Sequence, residues 1–241
     1  EYGPEYQDFT IEVQGFCKKY KGLSFTNGSN NPLGSSGGSG GPEMSRSEWQ
    51  KTLIDNGYFA RSVPKEYGGY GDESDILKSR IIAAEFSKSK TPGPMGGQGI
   101  DMLVPTLLEM GTEEQKQAYI KPTLHGEMIW CQGYSEPNAG SDLASLQTKA
   151  ELVGDEWVIN GQKIWTSTAQ YSQMCFCLVR TEPDAQKHAG ISYLLIPMDT
   201  PGIEIRPLVD MTLKAGFNEV FFTDVKIPAG NIVGKRGEGW A

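Results

Sequence analysis

Trp130–Asp142, WCQGYSEPNAGSD, marks the point where the chain changes its hydrophobic period. Before it, apolar residues recur at helical spacings; after it, they alternate in twos and include β-branched and aromatic types. The stretch itself sets small, turn-forming and hydroxyl residues directly after an apolar run, so it reads as a ligand loop and not as a core strand. Gly161–Thr168, GQKIWTST, reads as its counterpart: Trp165 is followed by the hydroxyl residues Thr166, Ser167 and Thr168 in a region that otherwise looks like strand. Together they suggest a flat heteroaromatic ligand.

Upstream of this point nearly every periodic segment is helical. Tyr6, Phe9, Val13, Phe16, Cys17 and Tyr20 share one face of a helix over Pro4–Lys21. Asn27–Gly41 (NGSNNPLGSSGGSGG) has the composition of a flexible linker. Ser45 and Glu48 form a capping box for a helix ending at Asn56, with Gly57 as its C-terminal glycine. VPKEYGGYG (Val63–Gly71) breaks the pattern, Asp75–Ser87 resumes it, and TPGPMGGQG (Thr91–Gly99) breaks it again before helices over Ile100–Met110 and Glu113–Ile120.

Downstream, Lys149–Val153 and Glu156–Asn160 read as a hairpin turning at Gly154-Asp155, and Asn160-Gly161 reads as a further turn. Met174–Arg180, Ile191–Pro197, Ile203–Leu208 and Glu219–Lys226 are strand candidates. Short strands at this spacing point to a small antiparallel barrel or sandwich behind an all-helical first half, an α+β chain.

Composition excludes several functions. Of 241 residues 38% are hydrophobic, enough for a sizeable core, and 22 basic against 30 acidic residues give a net charge of −8. With no Lys/Arg-rich run, no nucleic-acid footprint is expected. Cys17, Cys131, Cys175 and Cys177 include no CxxC, which fits a reduced cytoplasmic protein. No apolar run is long enough for a membrane helix, and EYGPEYQDF is too acidic for a signal or transit peptide. His125 and His188 stand in unrelated settings, which argues against zinc or a Ser-His-Asp triad. No Rossmann or P-loop fingerprint follows a strand.

In SEPNAGSD, Pro137 and Gly140 prevent regular structure and leave backbone N–H groups free to face ligand oxygens, while Ser135 and Ser141 add hydroxyl donors. These are also ordinary turn residues, and a tryptophan in a strand is commonly core, so neither stretch alone decides the matter. Glu136 reads as serving loop geometry and Asp142 as capping a following helix.

Five segments, VPKEYGGYG (Val63–Gly71), GTEEQK (Gly111–Lys116), YSEPNAGSD (Tyr134–Asp142), GDEWVINGQKIWTS (Gly154–Ser167) and GNIVGKRGEGW (Gly230–Trp240), occur in the order seen in acyl-CoA dehydrogenases. The chain resembles that family over essentially its whole length outside the linker. The resemblance implies an N-terminal all-helical domain over 1–129, with 27–41 as linker or loop. A small antiparallel β-barrel domain with a flavin loop then spans 130–233, and 234–241 is the start of a truncated C-terminal helical domain.

It also implies FAD as cofactor, with Gln132, Gly133, Tyr134, Ser135, Gly140, Ser141, Trp165, Thr166 and Ser167 as flavin-binding positions. Ser135 stands where the family more often has Thr. Trp165 falls on the residue packed against the flavin ring, Ser167 on the position whose hydroxyl and backbone approach the N5 region, and Ser141 also on a position that often touches the acyl-CoA thioester. The implied reaction is α,β-desaturation of an acyl-CoA with hydride transfer to N5, in fatty acid metabolism or β-oxidation. Electrons would pass to an electron-transfer flavoprotein or similar acceptor, from an enzyme that is a homo-oligomer or hetero-oligomer at full length. The family's general base is a carboxylate of the C-terminal domain, so no catalytic residue is assigned to this chain, which by itself is expected to be inactive and to hold FAD weakly. A non-catalytic acyl-CoA-binding or partner subunit, and a flavin monooxygenase or oxidase of the same fold, share these motifs.

Overall fold

Local capping chemistry starts the helices where the sequence reading places them. The computed structural model describes residues 3–26 and 41–240, so Asn27–Gly40 of the expected linker lie outside the described residues. Helix α1 (Pro4–Lys19) carries its proline in the first turn, where the missing N–H costs nothing. Helix α2 (Arg46–Asp55) has the expected capping box: Glu48 N donates to Ser45 Oγ at 3.2 Å, and Ser45 N donates to Glu48 Oε2 at 2.7 Å. Helix α3 (Ile76–Ser89) is capped by Asp75, which accepts from Lys78 N at 2.9 Å.

Residues 1–96 with 120–127 form one compact unit, and 97–119 with 128–241 form a second. The first unit buries one apolar stripe from each helix, with Phe16 at the centre of an aromatic cluster. Its ring lies 4.6 Å from Tyr58, 5.6 Å from Trp49 and 6.0 Å from Phe86. Gln50, also buried in this unit, is satisfied at both ends: Nε2 donates to Leu124 O at 2.9 Å and Oε1 accepts from Met95 N at 2.8 Å.

In the second unit the single helix expected over Ile100–Met110 is two pieces. A π-helical turn (Gly99–Leu103) precedes helix α4 (Val104–Met110). Pro105 is the physical reason: it cannot donate to the carbonyl four residues back, and its ring crowds that carbonyl, which widens the preceding turn. Helix α5 spans Glu113–Leu124.

Residues Ser24–Phe25 (β1) and Glu43–Met44 (β2) pair briefly in the first unit. The second unit is built on β3 (Trp130–Gly133), β4 (Lys149–Val153), β5 (Glu156–Lys163), β6 (Met174–Arg180), β7 (Ile191–Pro197), β8 (Ile203–Leu208), β9 (Phe217–Pro228) and β10 (Ile232–Val233). Along the sheet the order is β10-β7-β6-β4-β5-β9-β8, with β3 beside β6. Strands β6 and β7 are buried almost throughout.

The expected antiparallel barrel is corrected in two respects. The sheet is open, because β10 and β8 end the strand path without pairing with each other. Strand β8 is built as an edge: Pro207 offers no N–H, and Arg206 and Glu204 pair with each other at 2.7 Å. The sheet is also mixed, since β3 runs parallel to β6 with Trp130 opposite Met174 and Gly133 opposite Cys177. Strand spacing reports neither closure nor direction.

Asn160-Gly161 is not a turn, because β5 continues through it to Lys163. What stands there is a bulge on the neighbouring strand: Ile159 faces Val225 but Gly161 faces Phe222, so β9 carries one residue more. Asp224 takes up the extra length at φ +47°, and its amide and carboxylate bond the Asn160 side chain at 2.9 and 3.0 Å. Gly161 is required by close approach: a Cβ there would meet Thr148 Oγ1 at 2.5 Å and Thr148 Cα at 2.6 Å. Gly161→Ala is therefore expected to destabilise the protein by about 1–3 kcal/mol in urea denaturation, the usual range for forced overpacking.

Candidate flavin-facing loop and its buried ion pair

The first four residues of the stretch expected to be a loop are in fact a core strand. β3 buries Trp130 and Cys131, and Gly133 packs so closely that a Cβ would stand 2.9 Å from Cys177 Sγ and 3.0 Å from Cys175 Sγ. An apolar run of four residues before a Pro/Gly cluster is too short to separate strand from loop entry by composition. The loop proper begins at Tyr134. Glu136 and Ala139 exchange both backbone hydrogen bonds at 3.0 Å, which folds Pro137 and Asn138 into a tight turn.

This loop is joined to the end of β5 by three bonds. Ile164 N donates to Ser135 O at 2.8 Å. Lys163 Nζ donates to Tyr134 O at 3.0 Å and to Glu136 Oε1 at 2.8 Å. Lys163 is 0% exposed and Glu136 8%, so this is a buried ion pair. The carboxylate also accepts from Gln147 N at 2.6 Å and Thr148 N at 2.9 Å. Burial pushes the Glu136 carboxyl up, but the Lys163 ammonium and these donors together hold it below the usual carboxylate range. The loop-geometry role read for Glu136 is what the structure shows. Lys163 was missed, although it lies on the inward parity of β5 with Trp157 and Ile159.

Just beyond Lys163 the chain makes a turn with two non-glycine residues in the left-handed region, Trp165 and Thr168, both at φ +60°. The Trp165 side chain is 60% exposed and meets Phe217 edge to face at 6.0 Å. Thr166 points inward, 1% exposed. Its N donates to Asn218 O at 3.0 Å and its O accepts from Asn218 Nδ2 at 2.9 Å, so buried Asn218 clamps the turn. Thr166 Oγ1 and Asn218 Oδ1 are both buried without a hydrogen-bond partner. Asn218 was also missed; it shares the inward parity of β9 with Val220 and Phe222.

The other expected site residues fall nearby or stay apart. Gln132 accepts from Gln98 Nε2 at 3.4 Å. Tyr134, edge to face with Phe176 at 5.9 Å, lines a cleft of about 270 Å³ with Thr106, Met110, Leu143, Tyr193 and Trp240. Burial raises the Tyr134 phenol above its ordinary value. Ser167 is half-buried, while Gly140 and Ser141 are exposed and take no part in the three bonds joining the two stretches. Nothing stands within 4 Å of a Cβ placed on Gly140, which leaves its backbone open. Asp142 does not cap a helix: Leu143–Ser145 is only a short 3-10 turn, and the carboxylate instead accepts from Ser145 Oγ at 2.6 Å and Lys187 Nζ at 2.7 Å. Among the described residues no group of three or more His, Cys, Asp or Glu is placed to hold a metal ion, and no helix is long and apolar enough to cross a membrane.

Comparison with known proteins decides the lineage. The acyl-CoA dehydrogenase N-terminal domain matches residues 40–127 and the acyl-CoA dehydrogenase middle domain matches residues 131–225. The chain belongs to the acyl-CoA dehydrogenase family. It is 46% identical over 197 residues to acyl-CoA dehydrogenase IpdE1 of Mycobacterium tuberculosis, covering 81% of this chain and 50% of that one. Among solved structures, the ChsE4-ChsE5 complex from M. tuberculosis aligns over 100% of this chain and 58% of its own at TM-score 0.72 and 31% identity. The Tcur3481-Tcur3483 steroid ACAD aligns over 100% and 59% at TM-score 0.72 and 28% identity. The chain spans about half the length of the curated family members it matches first.

Removing one partner of the buried pair strands the other in a dry site. Lys163→Met is expected to cost about 3–5 kcal/mol by denaturant titration. Because the folded-state pKa of Glu136 is depressed, its contribution is fully present above the unfolded carboxyl pKa and is lost as pH falls through the folded value. Stability of the wild type should therefore drop on acidification through and below the carboxylate range, with a shallower drop in Glu136→Gln.

Proposed function

We propose that this chain forms the flavin-facing wall of an FAD-dependent dehydrogenase that desaturates an acyl-CoA thioester between Cα and Cβ. The observation carrying this reading is the exposed, left-handed Trp165 turn tied to the Tyr134–Ser141 loop by the buried Lys163–Glu136 pair. An exposed indole over a rigid turn, an open backbone at Gly140 and hydroxyls at Ser135, Ser141 and Ser167 suit a flat, polar-edged cofactor. FAD, when bound, supplies a hydride acceptor at N5.

The residues here bind, orient and exclude water. Trp165 would cover one face, and Ser135 and Ser167 would donate hydroxyls to the ring edge. Gln132, Gly133, Tyr134, Gly140 and Thr166 would shape the loop and turn, and Ser141 would reach the thioester ligand. Thr166 acts from beneath, since its side chain is buried. Neither nearby carboxylate is free to remove the α-proton: Glu136 is held in its ion pair and Asp142 is engaged by Lys187. The base is therefore assigned outside these residues.

The neighbouring steroid ACAD supports a ring-bearing acyl group as substrate, and the ChsE4-ChsE5 complex supports assembly with a second chain. An electron-transfer flavoprotein or similar carrier would be the acceptor, in the cytoplasm.

The test is anaerobic titration, with straight-chain and steroid side-chain acyl-CoA thioesters, of the FAD-loaded full-length protein, in which the base that these residues lack is supplied. The expected outcome is bleaching of the flavin band, stronger with the ring-bearing thioester. Trp165→Ala is expected to weaken FAD binding severalfold, the equivalent of about 1 kcal/mol for one ring contact. Tightly bound flavin that no acyl-CoA reduces would sink the reading.

A further inference from the structure

The helical unit has a cleft of about 490 Å³ whose wall carries Lys18 and Lys21 from the end of α1 and Lys88 and Glu85 from the end of α3, with Gln14 and Ser89 between them. That volume is in the range of small-molecule sites. The two helices run in the same direction: Tyr6, in the first turn of α1, donates to Asp75, the cap of α3, at 3.3 Å, and the two C-terminal ends meet at the cleft. KKYK (Lys18–Lys21) and KSK (Lys88–Lys90) are each too short to register as a basic run. The fold joins them into one cationic end on a chain whose net charge is −8.

Lysines near a helix C-terminus ordinarily answer its last carbonyls. Here those carbonyls already have backbone donors: Phe16 O accepts from Tyr20 N at 3.1 Å, Lys18 O from Lys21 N at 3.4 Å and Phe86 O from Thr91 N at 2.9 Å. Lys18 and Lys21 have no side-chain hydrogen bond or ion pair among the described residues. Lys18, Lys21 and Lys88 are all exposed, so their ammonium groups are open to a ligand.

The charge on the wall is +3 − 1 = +2, three lysines against Glu85, whose carboxylate stands 3.9 Å from Lys88 Nζ. Each helix end adds about half a negative charge. Lys19 and Lys90, next in the chain, offset those ends. Glu43, opposite Ser24 on the β1–β2 ladder, pairs with none of these lysines. Asn27–Gly40 contain no charged residue and so bring no acid to the cleft, and Glu1 belongs to the opposite end of α1, a helix of 16 residues. Charges of one sign around a concave wall focus the field and concentrate counter-ions. Ammonium groups are compact point charges that suit phosphate oxygens without demanding a planar match.

We propose that this cleft binds a small phosphate-bearing molecule with at least two negative charges. The site lies in the helical unit and does not depend on the flavin reading.

The test uses the whole 241-residue chain, with inorganic pyrophosphate as probe at constant ionic strength. Isothermal titration is expected to show saturable binding. The double variant Lys18→Gln/Lys21→Gln should weaken it at least tenfold with an unchanged circular dichroism spectrum. Glu85→Gln removes the one acid of the wall and should tighten it severalfold. Lys214→Gln/Lys226→Gln takes the same charge from exposed positions in the other unit and should leave it unchanged. Absence of saturable binding, equal weakening by the two double variants, or weaker binding by Glu85→Gln would each overturn the proposal. So would attachment to phosphatidylglycerol vesicles without pyrophosphate binding, which would assign the lysines to a membrane surface.

Discussion

One ammonium group organises the second unit. Lys163 Nζ is removed from water completely, and that is tolerable only because a carboxylate and a carbonyl are already aimed at it. The carboxylate has two backbone donors of its own. A buried pair of this kind adds little net stability over an apolar replacement, but it makes every alternative arrangement of the loop expensive. Any slip of the 134–139 turn relative to β5 leaves a bare charge in a dry interior. The pair thus favours one seating of the 134–139 turn against β5.

The turn after β5 works against the same background. Two left-handed non-glycine residues cost on the order of 1–3 kcal/mol each. Asn218 offsets part of that by holding Thr166 on both sides of its peptide units, and Phe217 supports the indole from its edge. The strain keeps Trp165 facing outward, where an ordinary extended residue at that position would alternate back toward the sheet.

Much of the fold was legible in the sequence, for identifiable reasons. Met174–Arg180, Ile191–Pro197 and Ile203–Leu208 are strands with the expected bounds, because each is a short apolar or alternating run closed by turn residues. Ser45/Glu48 capping is local and showed itself as such. The features that were not legible depend on partners distant in sequence. Strand direction at β3 is set by β6 some forty residues on, and sheet closure is set by two edges that share no motif. The Asn160-Gly161 pair carries turn chemistry, but here the same residues answer a bulge across the ladder and the close approach of Thr148. Within the site, the two stretches could be recognised by composition, whereas Lys163 and Asn218 hide in strands whose alternation would mark them only if a polar residue on the buried parity were taken as a signal in itself.

The bulge at Thr223-Asp224 has a consequence for how the chain tolerates insertions and deletions. Up to Phe222 the even-numbered residues of β9 face inward, namely Asn218, Val220 and Phe222; from Val225 onward the odd-numbered residues do, namely Val225 and Ile227. Two segments of opposite phase are spliced at one point. Deleting a residue there would leave one half correctly seated and expose the other, turning either the Asn218 clamp or the Val225–Ile227 core to solvent. The β8–β9 connection at 209–216 carries no such phase relation; its constraints are local, the Asp210 turn and the bonds of Ala215 and Gly216 to Gln170 and Thr168.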